Sequence, residues 1–293
     1  MIKLTHIINP VNVSEASDLF VAQPVTFESM RRAKQFAASE IEVSLITTQY
    51  PEDHSVIPEF FTKTKDLDRS VLDFGTFDKK RKLPLLQDIL DRAVDYNTEA
   101  DYIVYTNVDI AVQPHFYSFI NQKIKDGHDA FVINRRTISK QYTLKTLADA
   151  YADYGEAHPG FDCFVFKLKL HKQLSLNNVA IGVSKVGITL LANLIAFTDN
   201  LFFFKKEHLT FHIGEDKVWL NKNLNDYYLH NCNEAFKVYK HLINKKPEII
   251  NNAIIKKHWL LLNKELNNET EISKTEQKTG SVQKVIKWLK SNG

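Results

Sequence analysis

Asn107 and Asp109 close the stretch ADYIVYTNVDIAVQP, Ala100 to Pro114, where an apolar, β-branched and aromatic run gives way abruptly to polar groups. Tyr102 to Tyr105 has the pattern of a strand buried on both faces, and Pro114 stops regular pairing. Open α/β sheets place ligand groups at the carboxyl ends of such strands. Residues two apart on an extended chain project to the same side. Asn107 and Asp109 can therefore share one divalent cation, and that cation can hold a diphosphate. The alternative is an Asp that caps the next turn through its own backbone.

Further groups with chemistry to offer follow along the chain. Arg135 and Arg136 are delivered by the apolar run Ala130–Asn134 and suit bidentate phosphate recognition; otherwise they are a solvated strand end. Asp162, in HPGFDCFVF, is a candidate for ligand binding or base work, or a turn cap beside Pro159 and Gly160. In FHIGEDKVW, His212 follows a short apolar run and can ligate a metal through its neutral imidazole. Gly214 lets the backbone approach phosphate, and Lys217 can neutralise it; alone, such a set is an ordinary surface turn. A cation held jointly by Asp109, Asn107 and His212 requires both strand ends to lie at one sheet edge. Asn9, at the end of the first strand, is a further donor-binding candidate.

The elements that must position these groups read as follows. Lys3–Asn9 is a first strand. Thr26 is placed to cap a helix over Phe27–Ala38, and Glu42–Thr48 is a second strand. Asp53–Lys65 is irregular, and Arg69–Phe74 is a candidate third strand. Lys82–Asn97 carries the helical stripe Leu85, Leu86, Ile89, Leu90, Ala93 and Val94, with Pro84 near its first turn. After the Tyr102 strand come a helix over Phe116–Lys125, the Ala130–Asn134 strand, a helical or irregular stretch Lys140–Tyr154, and a strand over Cys163–Phe166. Val179–Phe197 is apolar enough to raise a membrane span. Its glycines and Lys185 favour a buried helix from about Gly187 to Phe197. Leu201–Phe204 and Leu209–Phe211 are strand pieces, and Asp216–Ile243 has helical character with core aromatics. This alternation of strand and helix predicts an α/β fold with a mostly parallel central sheet flanked by helices. The expected organisation is a catalytic domain over 1–245 and a helical C-terminal extension over 246–293. The extension holds a polar linker, Asn267–Gly280, and a basic amphipathic segment, Ser281–Lys290.

The chain has 293 residues, 44% apolar and 25% charged, an ordinary globular composition with room for a large core. Cys163 and Cys232 stand far apart, outside any metal-ligand spacing, which points to a reducing compartment. The N-terminus opens directly into a strand-like run without signal-peptide features, so the expected location is cytoplasmic. The net charge of +3 is a local excess: from Lys256 to Gly293 there are eight Lys against four Glu. The main domain lacks the basic, aromatic-interleaved face of a nucleic-acid enzyme, so no nucleic-acid partner is expected. Ser281–Lys290 sets Val282, Val285, Ile286 and Leu289 against Lys284, Lys287 and Lys290. It either packs on its own domain or a partner, or makes a peripheral contact at the inner membrane face. No G-x-G-x-x-G occurs, which disfavours a dinucleotide oxidoreductase. The first strand is followed by no Gly-rich signature, which disfavours a sugar-1-phosphate nucleotidyltransferase.

In these residues the chain resembles glycosyltransferases of the GT-A fold, the nucleotide-diphospho-sugar transferase superfamily. Asn107-Val108-Asp109 resembles their Asp-x-Asp motif, with Asn in the first position, and the preceding helix and strand match its usual context. HIGEDKVW resembles the His-x-x-Gly-x-x-Lys-Pro-Trp motif of one retaining branch, one residue shorter between His and Gly and with Val218 for Pro. The resemblance implies a GT-A-like fold, a divalent metal (Mn2+ or Mg2+) on Asp109, Asn107 and His212, and a nucleotide-diphosphate sugar as donor. It implies a glycan or other hydroxyl acceptor, as in surface polysaccharide synthesis. A competing alignment takes Gly214-Glu215-Asp216 as the acidic pair of inverting enzymes, with Asp216 or Glu215 as general base, which leaves the stereochemical outcome open. Asn107 also admits a GT-A-like module that binds glycan or protein without turnover.

Overall fold

The computed structural model describes residues 1–214 and 224–267. Its strands are β1 (Lys3–Ile8), β2 (Glu42–Thr47), β3 (Thr62–Lys63), β4 (Tyr102–Thr106), β5 (Ala111–Val112) and β6 (Ala130–Ile133). They continue with β7 (Arg136–Ile138), β8 (Glu156–Ala157), β9 (Cys163–Lys167), β10 (Leu201–Phe204) and β11 (Thr210–Ile213). The helices are α1 (Leu19–Phe36), α2 (Leu86–Tyr96), α3 (Phe116–Lys125), α4 (Leu147–Ala152), α5 (Val186–Phe197) and α6 (Asn225–Lys245), followed by α7 over residues 253–267.

Seven strands form the central sheet in the order β10-β6-β9-β4-β1-β2-β3. All neighbours are parallel except β9, which runs antiparallel between β4 and β6. Side chains alternate between two apolar layers. Leu4, Ile8, Val104, Phe131 and Val165 pack with Met30 and Ala33 of α1 and Phe116 and Ile120 of α3. Ile7, Ile103, Tyr105, Val132 and Phe164 pack with Leu86, Ile89 and Leu90 of α2 and Leu190, Leu191 and Leu194 of α5. Full burial of each Leu or Ile contributes roughly 1.5–3 kcal/mol, and a one-residue slip would send every side chain of a strand to the wrong layer. The pattern thus locks the register Ile103↔Thr5 and Val104↔His6, and with it the position of everything beyond Thr106. Beyond α5, the pair α6 and α7 adds a third cluster built on Cys232, Val238, Tyr239, Ile255 and Leu262.

A second sheet, β5-β11-β7-β8, grows out of the first. Four residues separate β4 from β5, and two separate β6 from β7. β11 then pairs with both, antiparallel to β5 and parallel to β7. The junction of the two sheets therefore falls at the carboxyl ends of β4 and β6.

Several local expectations are corrected. The first helix begins at Leu19 rather than Phe27, runs through Pro24, and buries Thr26 mid-helix instead of using it as a cap. Gln23 ties this early turn to the preceding loop by bonding both Val11 N–H and Val11 C=O at 2.9 Å. Residues 71–73 of the candidate third strand form a 3-10 turn capped by Ser70, whose hydroxyl accepts from Leu72 N–H; the edge strand is Thr62–Lys63 within the stretch read as irregular. The Lys82–Asn97 helix starts at Leu86, because Leu85 pairs with Ala180 in a bridge. The last strand extends to Ile213, so His212 lies inside it rather than after it. Among the described residues, no helix is long and apolar enough to cross a membrane. The Asn267–Gly280 linker and Ser281–Lys290 segment lie outside the described residues, apart from Asn267 at the end of α7.

Candidate functional site

Asp109 and His212, 103 positions apart in sequence, meet at the junction of the sheets. His212 Nε2 lies 3.2 Å from Asp109 Oδ2. The same-edge condition set by the sequence is met because β5 follows Asp109 directly and pairs with β11 through Phe211↔Ala111. On its other side the imidazole Nδ1 lies 2.6 Å from Gly214 C=O, to which it donates. That bond fixes the ring and aims Nε2 at the carboxylate, the arrangement in which a carbonyl orients a metal-binding histidine. His212 is enclosed, 3% exposed, and Asp109 is partly open to solvent, 24% exposed.

Arg135 and Asp162 complete the cluster. Cys163 pairs with Thr106 of β4 and with Ile133 of β6, so the residue before it, Asp162, emerges between the ends of those two strands. Arg135 follows β6 directly, and its Nε stands 3.7 Å from Asp162 Oδ2. The turn carrying Asp162 is strapped to this strand end: His158 N–H donates to Arg135 C=O, and Asn134 Nδ2 donates to His158 C=O, each at 3.2 Å.

The two carboxylates differ in electrostatic character. Burial pushes the Asp109 carboxyl upward, but the His212 hydrogen bond and the nearby His212 and Arg135 charges outweigh it and hold Asp109 below the usual carboxylate range. Burial dominates at Asp162 and raises it despite Arg135 and His158, with the negative charge of Asp109 adding to the rise. One carboxylate thus stays charged to hold a cation, and its neighbour is a stronger base.

Four buried polar atoms here make no hydrogen bond: Asp109 Oδ1 and Asn134 Oδ1, and Arg135 Nε and Asp162 Oδ2, which face each other as an ion pair at 3.7 Å. Buried polar atoms are nearly always satisfied, and leaving one unpaired costs about 1–3 kcal/mol. A group of them at one edge marks a place where a polar ligand completes the bonding. Among the described residues no three His, Cys, Asp or Glu side chains surround one point. Two protein ligands nevertheless fit Mg2+ or Mn2+, which keep waters and take phosphate oxygens as their remaining ligands. Asn107 accepts from the Tyr105 hydroxyl at 3.1 Å and retains a second lone pair on its amide oxygen.

The other sequence candidates fall as follows. Arg136 is turned away from this cluster: Nε and Nη2 donate to Tyr154 C=O and Gly155 C=O, each at 2.7 Å, and the guanidinium stacks 3.8 Å from the Tyr154 ring centroid. It braces the small sheet. Asn9 donates to Thr48 C=O at 2.6 Å, joining the ends of β1 and β2. Gly214 has φ +75°, a conformation that disfavours any side chain there. Glu215, Asp216 and Lys217 lie outside the described residues. His158 was not singled out from sequence, although its charge reaches Asp162; its place in the turn HPGFD was the available signal.

No protein-family model matches the chain, and no curated protein matches it in sequence. Solved structures similar to it include S. aureus TarS 1–349 in complex with UDP-GlcNAc, at 9% identity and TM-score 0.48, covering 83% of this chain and 67% of that one. Another structure of TarS 1–349 gives 7% identity and TM-score 0.42 over 92% of each chain. A Bacillus anthracis protein assigned as a glucose-1-phosphate thymidylyltransferase, in complex with a sucrose, gives 11% identity and TM-score 0.40, covering 77% of this chain and 95% of that one. Similarity at this level leaves activity to the chemistry of the site.

Proposed function

We propose that the chain is a nucleotide-sugar-dependent glycosyltransferase whose site is the Asp109–His212–Arg135–Asp162 cluster. The observation that carries this reading is the gathering of unsatisfied polar atoms around an ionised Asp109 at the carboxyl edge of a mostly parallel sheet. Such an edge is where open α/β sheets bind nucleotides. Asp109 and His212 would hold the divalent cation, with Asn107 the further candidate ligand, and a cation there would neutralise charge developing on the departing diphosphate. Arg135 adds a fixed positive charge. Asp162, enclosed and more basic than an ordinary Asp, orients the acceptor hydroxyl and takes its proton. Lys217 is assigned to the diphosphate, and Glu215 or Asp216 is the alternative base. The acceptor is a glycan or another hydroxyl compound, and the expected setting is surface polysaccharide or glycoconjugate synthesis in the cytoplasm.

The test is thermal unfolding with UDP, GDP, CDP, dTDP and their sugars, each with Mn2+, with Mg2+ and with chelator. Ligands that bind only the folded state raise its stability by mass action. A metal-dependent rise with one nucleotide, absent in Asp109→Ala and His212→Ala, is expected and names the base. No rise with any nucleotide rejects the transferase and leaves a binding module, a reading favoured by the engagement of Asn107 with Tyr105.

A further inference from the structure

The two edges of the central sheet are finished differently. β3 is two residues long, Thr62 and Lys63, both exposed, a short polar edge of the kind that resists further pairing. β10, the opposite edge among the described residues, is the apolar run Leu201-Phe202-Phe203-Phe204. It holds no proline and no charge, the devices that keep such an edge single. Phe202 is 46% exposed, its ring centroid 5.2 Å from that of His128 and 4.8 Å from that of Phe204.

The pairing of β10 with β6 fixes which of its backbone groups point outward. Phe204 C=O accepts from Asn134 N–H at 2.9 Å, so Phe204 faces β6. The N–H and C=O of one residue lie on the same side of a strand, and the side alternates along it. Phe202 and Phe204 therefore direct their backbone groups to β6, and Leu201 and Phe203 present theirs to the open side.

An identical edge can pair with this one antiparallel, about a two-fold axis normal to the sheet. Such an axis leaves each side chain on its own face, and directly opposed residues share a face, so the axis is centred on a residue and never between two. Phe202 and Phe203 are the possible centres within the strand, and the flanking charges separate them. Asp199 and Lys205 are exposed and make no ion pair among the described residues; Lys205 Nζ lies over the Phe203 ring at 5.6 Å. Centring on Phe202 sets Asp199 of each copy opposite Lys205 of the other and Lys206 opposite Thr198. Leu201 and Phe203 then exchange hydrogen bonds across the seam, and Phe202 meets its own equivalent. Centring on Phe203 sets Asp199 against Glu207 and Leu201 against Lys205. Opposed unlike charges and aromatic pairs stabilise a two-strand seam, and like charges destabilise it.

We propose that the protein forms a homodimer through β10, antiparallel and centred on Phe202, so that two central sheets become one. β10 is parallel to β6, whose carboxyl end leads into Arg135, so the two candidate sites open at opposite ends of the joined sheet. The dimer does not rest on the transferase reading.

Sedimentation equilibrium of the full chain across a concentration series is expected to show a monomer–dimer equilibrium; a monomer throughout overturns the proposal. Asp199→Lys and Lys205→Asp, both at exposed positions, each weaken the dimer at least about tenfold. The two changes in one chain restore it, and a double variant as weak as the single ones overturns the register. Mild oxidation reads the register directly. Residues opposed at a non-hydrogen-bonded position have Cα atoms roughly 4.5 Å apart, within disulfide reach, so Phe202→Cys cross-links two chains and Phe203→Cys does not. Cys163 and Cys232 are buried and supply no background. Cross-linking through Phe203→Cys instead overturns the register, and a dimer that cross-links through neither overturns the proposal. The nucleotide panel run on the same variants bears on the transferase alone, and sedimentation on the dimer alone.

Discussion

Two polar clusters sit within a few residues of each other on β1, β4 and their neighbours, and they are built on opposite principles. Beneath the sheet edge, His6 is fully buried between two hydroxyls, Nδ1 2.8 Å from Tyr117 Oη and Nε2 2.9 Å from Thr106 Oγ1. Both ring nitrogens are satisfied, and burial pushes the imidazole down to about 3, so it stays neutral. Just beyond Thr106, the Asp109 cluster keeps charge and leaves atoms unpaired. A closed polar network holds strands together, whereas an open one is kept for something that comes and goes.

The sharpest way to break this contrast is Asp109→Asn, which preserves shape and removes charge. It is expected to lower transfer on the order of 10²–10³-fold, the scale of losing one electrostatic stabiliser, and to abolish the metal-dependent rise in melting temperature. A variant that transfers sugar normally would remove Asp109 from the site. The next largest effect is on stability. His6→Gln should cost about 2–4 kcal/mol near pH 7.5 by disturbing packing and two buried hydroxyls, yet keep the nucleotide effect. Its sign with pH follows from burial. The folded ring refuses a proton until about pH 3, while the unfolded ring accepts one near 6.5, so stability is full above 6.5 and falls as pH drops toward 3. Chemical denaturation across that window should show the decline in the natural chain and a flatter profile in His6→Gln.

Adjacent arginines provide a finer comparison. Arg136→Met should cost about 1–3 kcal/mol, since the Tyr154 and Gly155 carbonyls lose a charged donor, and leave nucleotide affinity unchanged. Arg135→Met should instead weaken the nucleotide effect, by about tenfold in affinity. A swapped outcome in titration and melting would reverse their assignments. The smallest effect is expected at Glu28, bonded by Arg31 and Arg32 on the helix surface and held down to about 2 by them against burial. Glu28→Gln should cost under about 1 kcal/mol. That contribution is full above the ordinary Glu value and is lost as pH falls toward 2.

What was legible in sequence was what short periodicities encode. The buried runs of β1, β4, β6 and β9 and the stripes of α2 and α5 were readable because their burial is set by near neighbours in the chain. Helix α1 was misread at its start because Thr26 has the residue type of an N-cap, whereas it is buried inside a helix that begins at Leu19. The second sheet was not legible: its strands are two to four residues long, and their pairing depends on where β4 and β6 leave the main sheet. Asp109, His212, Arg135 and Asp162 were each nominated by residue type and local context. The meeting of Asp109 with His212 was posed from sequence; the addition of Arg135 and Asp162 was not, since Asp162 owes its place to Cys163 pairing on both sides. Arg135 and Arg136 looked equivalent, and only alternation across the sheet junction separates them.

The reversal of β9 separates chemistry from adaptation. A parallel strand offers the site only the residues that follow it, but β9, entering from the opposite end, offers the residue that precedes it. Because β9 is clamped between β4 and β6, Asp162 is indifferent to the length or shape of the chain before it. Residues 143–145, exposed at the rim, can be exchanged without moving the carboxylate, as long as the strap from Asn134 and Arg135 to His158 is kept. The fold thereby allows change at the rim while the Asp162 carboxylate stays in register.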